Sequence, residues 1–163
     1  MLELRARAIG VVTCVADAAA IEALGAMPGA FACRVAPDEA MLLTEAGGAP
    51  ALAADAGEQA VAADPDAIVV DATDGWAAWT LQGDGVDTAF GRLSAVPLAP
   101  GFSQGDVAHV PVKILSSDGM LDLLVPAMWG AYLRERILSR CADLGIAEQT
   151  EPAAWSPPEG DPA

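Results

Sequence analysis

The residues best suited to specific chemistry are three arginines near the C-terminal end of the sequence, Arg134, Arg136 and Arg140. They are three of only eight basic residues in the chain. A guanidinium presents paired N–H donors that match a carboxylate, so this cluster favours contact with an acidic partner. Cations near the C-terminal end of a helix also complement its dipole, and a solvated cationic face is the alternative interpretation.

The other titratable side chains do not form a recognisable catalytic motif. His109 is the only histidine, and no serine or cysteine nucleophile accompanies it in a known pattern. We predict that it lies at the surface or in an interface, on the outer face of a strand. Asp71 and Asp74 flank a turn, where two carboxylates can do acid–base work or simply cap the turn.

Phosphate and metal chemistry are not indicated. The Gly-Asp-Gly loop at residues 83–85 lacks the spacing and the lysine of a phosphate loop, and its own acid repels phosphate. The three cysteines, Cys14, Cys33 and Cys141, are far apart and lack metal-ligand spacing. We expect buried thiols in a reducing compartment, and we predict no catalytic residues and no metal site.

The net charge of the chain limits the classes of partner that it is expected to bind. It carries 23 acidic and 8 basic residues, a formal net charge of −15. Nucleic acid and anionic lipid both require a basic surface, so neither is an expected partner. A solubilising acidic surface, an acidic face that docks on a basic partner, and adaptation to high salt remain open. No apolar run reaches transmembrane length and the N-terminus lacks a signal-peptide core, so we predict a cytoplasmic protein.

Short strands and helices must position these side chains. In the first half, alternation and β-branched runs predict strands at residues 8–15, 31–35, 40–44 and 68–71. Asp17 is expected to cap a helix at residues 18–27, and Pro50 to open an alanine-rich helix at residues 50–63. Residues 1–7 are charged and are expected to be frayed or at an edge.

The second half repeats this order. Strands are predicted at residues 76–82, 107–115 and 120–125, with a loop at 95–104 and a hairpin turn at 117–119. Helices are predicted at residues 86–93 and 127–144. The sequence therefore predicts an α+β fold of two pseudo-repeated β-α-β-β-α(-β) halves, at about 8–71 and 76–145. Antiparallel sheets would carry helices on one face.

The predicted domain ends at residue 146. Residues 147–163 are rich in proline and acid, and we expect them to be disordered. Trp76 and Trp129 fall in predicted elements and are candidate core or interface anchors. Together with Arg134, Arg136 and Arg140 they form the predicted partner interface.

The chain resembles the gamma subunits of heterotetrameric sarcosine oxidases, within the folate-binding superfamily of the glycine-cleavage T-protein. The resemblance rests on the runs APDEAMLL, VVDATDGWAAWTLQGDGVDTAFGRLSAVPL and MLDLLVPAMWGAYLRERILSRCADLG. The short motifs that match are Pro37–Glu39, Asp71–Gly75, Leu81–Gly83, His109–Val112, Asp122–Pro126 and Trp129.

The resemblance implies a non-catalytic accessory subunit of a flavin-dependent sarcosine or secondary-amine oxidase. It would pack against the folate-binding part of a larger alpha subunit. FAD, FMN, NAD and tetrahydrofolate would then reside in the alpha and beta subunits, and none in this chain. The complex would oxidise an N-methyl group. The arginine cluster would then contact either an acidic partner or a folate tail.

Two other functions remain open. A free-standing folate or small-molecule binding protein of the T-protein type would have a pocket between the halves, with Asp71, Asp74 and His109 as candidate lining residues. A scaffold without any ligand is the third. If Trp129 is a core side chain, its replacement by alanine should cost about 3–5 kcal/mol; if it is an interface anchor, only association should fail.

Overall fold

The computed structural model describes residues 1–157, which divide into two compact units. Of the described residues, the N-terminal unit contains Ala8–Thr73 and residues 154–157, and the C-terminal unit contains Met1–Arg7 and Asp74–Ala153. Both units combine antiparallel strand pairs with packed helices. The predicted α+β class is confirmed.

The N-terminal unit is a small sheet with two helices. Its strands pair in the order β2-β3-β1, and β4 pairs with β1. Its elements are β1 (Glu3–Val15, which begins in the C-terminal unit), α1 (Ala18–Ala23), β2 (Phe31–Ala36), β3 (Glu39–Glu45), α2 (Ala49–Ala63) and β4 (Ile68–Asp71).

Residues at the first turns of the two helices in this unit explain where each helix begins. The Asp17 carboxylate accepts a hydrogen bond from the Ala20 amide at 2.8 Å, which confirms the predicted cap of α1. Pro50 lies in the first turn of α2, where its missing N–H costs nothing. The core is built mainly from small side chains, with alanines of both helices packed on Val12, Cys14 and Leu42.

The C-terminal unit has a longer sheet, in the order β1-β5-β8-β7-β6, and β9 also pairs with β1. Its further elements are β5 (Trp76–Gln82), α3 (Val86–Gly91), β6 (Gly101–Val107), β7 (Val110–Ser117), β8 (Met120–Pro126), α4 (Gly130–Arg140) and β9 (Ala147–Ala154).

Larger side chains fill the core of the C-terminal unit. Phe90 of α3, and Leu133 and Ile137 of α4, are buried together with inward-facing leucines of β5 and β8. Trp79 and Leu81 of β5 lie on this side of the sheet, as the alternation predicts. The Trp79 indole donates to the Gly130 carbonyl at 3.1 Å and ties α4 to the sheet.

The two halves repeat the same element order, with one addition. The first runs β-α-β-β-α-β, and the second inserts β6 after its first helix. The sequence predicted a loop at residues 95–104 and one strand at 107–115. That prediction is wrong, because Gly101–Val107 pairs with Val110–Ser117 as a hairpin. β6 is the outermost strand in its sheet; Phe102 and Val107 are its only large apolar side chains, and it lacks the alternation of a half-buried strand.

The chain ends described by the structure differ from expectation. Residues 1–7 are not frayed: Leu2 and Leu4 are 1% and 0% exposed, and β1 begins at Glu3. The expected disorder from residue 147 is wrong for the part that is described, because Ala147–Ala154 forms β9 and Trp155 is buried. The acidic residues of β9 suit an exposed strand. The pairing of its backbone with β1 orders the segment although its composition is typical of disorder. Residues 158–163 lie outside the described residues.

The close approach of α4 to β5 gives a test of packing. A Cβ added at Gly130 would lie 2.7 Å from the Ala77 Cβ, an atom with no rotamer to move. Gly130→Ala should therefore lower the free energy of unfolding by about 1–3 kcal/mol despite the higher helix propensity of alanine. Gly57→Ala in α2 is the matched control, because nothing lies within 4 Å of its Cβ, and it should stabilise by about 0.5–1 kcal/mol. Equal effects in denaturant titrations would contradict the packing argument.

No helix within residues 1–157 is long and apolar enough to cross a membrane.

Candidate functional site

A strained turn holds the single histidine at the surface of the C-terminal unit. Ala108 and His109 join β6 to β7 and both have positive φ, 51° and 70°. Two-residue hairpins need this geometry, but glycine and asparagine adopt it far more readily. The Ala108 amide donates to the Leu93 carbonyl at 2.7 Å, and the Tyr132 hydroxyl donates to the Ala108 carbonyl at 3.1 Å. These two hydrogen bonds hold the turn in place. The His109 side chain is exposed.

Helix α4 presents an aromatic and cationic face to this turn. The Trp129 and Tyr132 rings meet edge to face, with centroids 5.9 Å apart and planes at 72°. The Arg136 guanidinium lies over the Tyr132 ring, 5.1 Å from its centroid, in a cation–π contact. Residues 129, 132, 136 and 140 lie on one helical stripe. Trp129 remains 39% exposed and Met128 80% exposed.

A groove of about 810 Å³ lies between the turn and this face of α4. We call it the arginine groove and define it by Arg92, His109, Arg136 and Arg140. Residues 93–96 and Ala108 add small and apolar lining. Among the described lining residues, Asp106 is the one carboxylate.

The cations of the groove differ in how they are neutralised. Arg92 pairs with Asp143 and also donates to the Arg140 carbonyl. The hydrogen bond to Asp143 raises the pKa of Arg92 and lowers the pKa of the Asp143 carboxyl. Within residues 1–157, Arg136 and Arg140 are the two arginines without a carboxylate partner. The groove therefore has two guanidiniums whose charge is not cancelled by an ion pair with any carboxylate in the described part of the chain.

Arg134 does not belong to the groove. It makes a two-pronged ion pair with Glu148 of β9. The sequence placed Arg134, Arg136 and Arg140 in one cluster, and the structure brings only the last two together. Arg134 is offset from Arg136 by two residues, about 200° around the helix, so it points to another side.

The Arg134–Glu148 pair predicts a pH dependence. Hydrogen bonds from Arg134 hold the pKa of Glu148 below its ordinary value of 4.5. A carboxyl with a lowered pKa stabilises the fold above its ordinary pKa, and this stabilisation is lost as pH falls through the lowered pKa. The protection factors of the β9 amides against hydrogen exchange should therefore fall as pH drops below the ordinary Glu148 pKa of 4.5. NMR titration of the Glu148 carboxyl should give a midpoint below 4.5 in the native protein, and the midpoint should rise in Arg134→Gln. An unchanged midpoint in that variant would contradict the assignment.

The remaining candidates of the sequence lie apart from the groove. Trp76 is half-buried at the start of β5. Asp71 caps the turn after β4 by accepting from the Thr73 amide at 3.0 Å and from the Thr73 hydroxyl at 2.6 Å. These bonds lower the pKa of Asp71, which suits a turn cap rather than a general base. Asp74 is exposed.

The thiols are buried, as predicted. Cys14, Cys33 and Cys141 are each 0% exposed. Burial raises the pKa of Cys14 and of Cys141, so these thiols are poor nucleophiles at neutral pH. Within residues 1–157, no three His, Cys, Asp or Glu side chains cluster closely enough to hold a metal ion.

Sequence reasoning missed one member of the groove, Arg92, which was not singled out. His109 is exposed, as predicted, but its predicted place on a strand is wrong because it lies in the β6–β7 turn. The motif His109–Val112 was nevertheless part of the family resemblance. The sequence does not predict the turn at His109, because Ala-His is an unusual pair for a two-residue hairpin turn. No local pattern marks Arg92 as part of a groove.

The Arg136 and Arg140 guanidiniums can pair with carboxylates, and the edge-to-face pair of Trp129 and Tyr132 lies beside Arg136 on the same helix.

Comparisons with known proteins identify the fold. No protein-family model matches the sequence, and a search of curated proteins found no match. Among solved structures, the chain is similar to one chain of heterotetrameric sarcosine oxidase from Corynebacterium sp. U-96, solved with pyrrole 2-carboxylate. The identity is 19% and the TM-score 0.74, over 91% of this chain and 88% of that chain. These coverages mean that the two chains are similar in length.

Two larger proteins contain a related fold. The glycine cleavage system aminomethyltransferase T from Bartonella henselae matches 90% of this chain at 15% identity, with a TM-score of 0.67 and 47% of that chain covered. An aspartate kinase from Synechocystis matches 93% of this chain at 15% identity, with a TM-score of 0.50 and 28% of that chain covered. The chain thus spans about half of the aminomethyltransferase. The chain has the T-protein-like fold found in a chain of heterotetrameric sarcosine oxidase, as the sequence resemblance predicts.

Proposed function

We propose that this chain is the small, non-catalytic subunit of a flavin-dependent amine oxidase complex of the sarcosine oxidase type. The observation that carries the proposal is the fold match to one chain of a heterotetrameric sarcosine oxidase. That match covers nearly the whole of both chains. A chain of the same fold and similar length suits the same position in a related complex.

The described side chains support a binding role. The arginine groove offers charge and aromatic surface, while the buried thiols lack the exposure that a nucleophile needs. Met128 and Trp129 expose apolar area beside the groove, and tryptophan and arginine are enriched among residues that dominate binding energy at interfaces. This surface suits attachment to a larger partner.

In this proposal the chemistry belongs to larger alpha and beta subunits. FAD, FMN, NAD and tetrahydrofolate would be held there, and this chain would pack against the folate-binding part of the alpha subunit. The complex would carry out oxidative N-demethylation of sarcosine or another secondary amine. Independent folate binding by this chain is the weaker proposal, because the chain spans about half of the aminomethyltransferase that it matches.

Affinity purification of the tagged chain from its source cells tests the proposal. We expect a yellow complex with two larger subunits and with sarcosine-dependent or other secondary-amine-dependent hydrogen peroxide formation. Removal of this chain should disrupt the complex without removing flavin from the larger subunits. A colourless chain that purifies alone, under conditions in which cellular amine oxidase activity is intact, would contradict the proposal.

A further inference from the structure

We propose that the arginine groove is the docking site for an acidic, extended segment of a partner polypeptide, held by Arg136 and Arg140. That this polypeptide is a subunit of an amine oxidase complex rests on the proposed function. That the groove binds an acidic segment is argued from the side chains of the groove alone.

Charge complementarity is the first argument. The chain carries 23 acidic and 8 basic residues, so most of its surface repels an acidic segment. Arg136 and Arg140 lie side by side in one groove, and neither has a carboxylate partner within residues 1–157. The chain as a whole is strongly acidic, so two adjacent guanidiniums without a described carboxylate partner make the groove a local region of positive charge. This region selects for a partner that is acidic at this point.

Two of the three arginine side chains that line the groove, Arg136 and Arg92, are also held in place before a partner arrives. Arg136 is held over Tyr132, and Tyr132 is held by Trp129 and by its bond to Ala108. Arg92 is fixed by Asp143 and by the Arg140 carbonyl. Side chains that are already placed lose less conformational entropy on binding. The strained Ala108-His109 turn closes the opposite side of the groove and is fixed by the same tyrosine.

The spacing of the arginines defines the acidic segment. Arg136 and Arg140 are four residues apart on α4, which places their origins about 6 Å apart along the helix. In an extended chain, alternate residues are about 6.6 Å apart and point to the same side. Acidic residues at alternate positions would therefore match the two guanidiniums. The exposed Trp129 and Met128 continue this stripe and would cover apolar side chains at one end of the segment.

Fluorescence polarisation with labelled peptides tests the groove on the full-length chain. The probe is a hexapeptide with glutamate at alternate positions and alanine between them. Its controls are a peptide of the same composition with three consecutive glutamates, and an all-lysine hexapeptide. We expect the alternating peptide to bind more tightly than the block peptide, and the lysine peptide not to bind. Binding should weaken as salt rises.

Charge variants locate the binding site. Arg140→Glu and Arg136→Glu should each weaken binding of the alternating peptide at least tenfold, and Arg140→Gln should weaken it less. Arg34→Glu is the matched control, because it makes the same charge change in the N-terminal unit beside Glu22, and it should have little effect. Asp106→Asn removes the carboxylate of the groove and should strengthen binding. Circular dichroism of each variant checks that the fold is retained.

Three outcomes would overturn the proposal. The first is an equal loss in Arg34→Glu and Arg140→Glu, since it would show non-specific attraction. The second is displacement of the peptide by equimolar inorganic phosphate or citrate, since it would show a small-anion site. The third is an absence of peptide binding at low salt.

A second measurement separates this proposal from the proposed function. If the native chain copurifies with flavin subunits and Arg140→Glu does so equally well, the groove proposal fails and the proposed function stands. If the native chain binds the alternating peptide through Arg140 but no flavin subunits copurify, the groove proposal stands and the proposed function fails.

Discussion

Replacing Asp122 with alanine should lower the free energy of unfolding by about 3–5 kcal/mol. Asp122 is 4% exposed. Its carboxylate accepts from the Arg7 guanidinium at 3.0 Å and from the Thr80 hydroxyl at 2.6 Å. The Arg7 side chain is itself only 13% exposed. Removing the carboxylate therefore takes away the buried acceptor to which both the Arg7 guanidinium and the Thr80 hydroxyl donate, and this costs far more than a surface ion pair contributes.

Chemical denaturation followed by circular dichroism measures this loss. Asp118→Ala is the control, because that acid is exposed in the turn of the same β7–β8 hairpin, and it should change stability by less than about 0.5 kcal/mol. The triple variant Arg7→Met, Thr80→Val and Asp122→Leu removes all three polar groups. It should recover most of the stability, because apolar replacements of a buried ion pair are often neutral. A loss below about 1 kcal/mol in Asp122→Ala would show that the network is dispensable.

Replacing Trp129 with alanine should weaken assembly with partner subunits by at least about 30-fold, the effect of a residue worth about 2 kcal/mol at an interface. The isolated chain should change much less. Trp129 is 39% exposed, and the contact that the structure describes for its ring is the edge-to-face contact with Tyr132. We expect a loss of stability of about 1 kcal/mol, the scale of one such contact.

This prediction tests the two roles that the sequence left open for Trp129. Val61→Ala on α2 is the control, because Val61 is also partly exposed, at 49%, and lies in the N-terminal unit. It should leave assembly unchanged. Titration of purified partner subunits and thermal melts of the isolated chain measure the two effects. A stability loss of 3–5 kcal/mol with unchanged assembly would show that Trp129 is a core residue.

The sequence by itself determined the element types and their order in the first half, and in the second half it determined β5, α3, β7, β8 and α4 but not β6 or β9. Asp17, Pro50 and the turn at residues 118–119 act on their nearest neighbours, so their effects follow from local physics. The alternation in β5 places Trp79 and Leu81 toward the core for the same reason. The clustering of arginines on the last helix was also visible in the sequence.

Only the tertiary structure decided which arginines act together and with what. Arg134 is neutralised by Glu148, which the sequence placed in a disordered tail but which belongs to β9. Edge strands such as β6 and β9 have few large apolar side chains, so they lack the apolar period that identifies a strand from sequence. Their existence depends on backbone partners far away in the chain.

The arginine groove has the same dependence on distant contacts. Ala108 and His109 lack the glycine or asparagine that favours positive φ, and two hydrogen bonds offset the strain of that turn: the Ala108 amide donates to the Leu93 carbonyl and the Tyr132 hydroxyl donates to the Ala108 carbonyl. Once the turn is formed, His109 lies beside helix α4 and Arg92. Short-range patterns thus determine most of the strands and helices. The arginine groove depends instead on a strained turn and on arginine positions that form only when the C-terminal unit is packed.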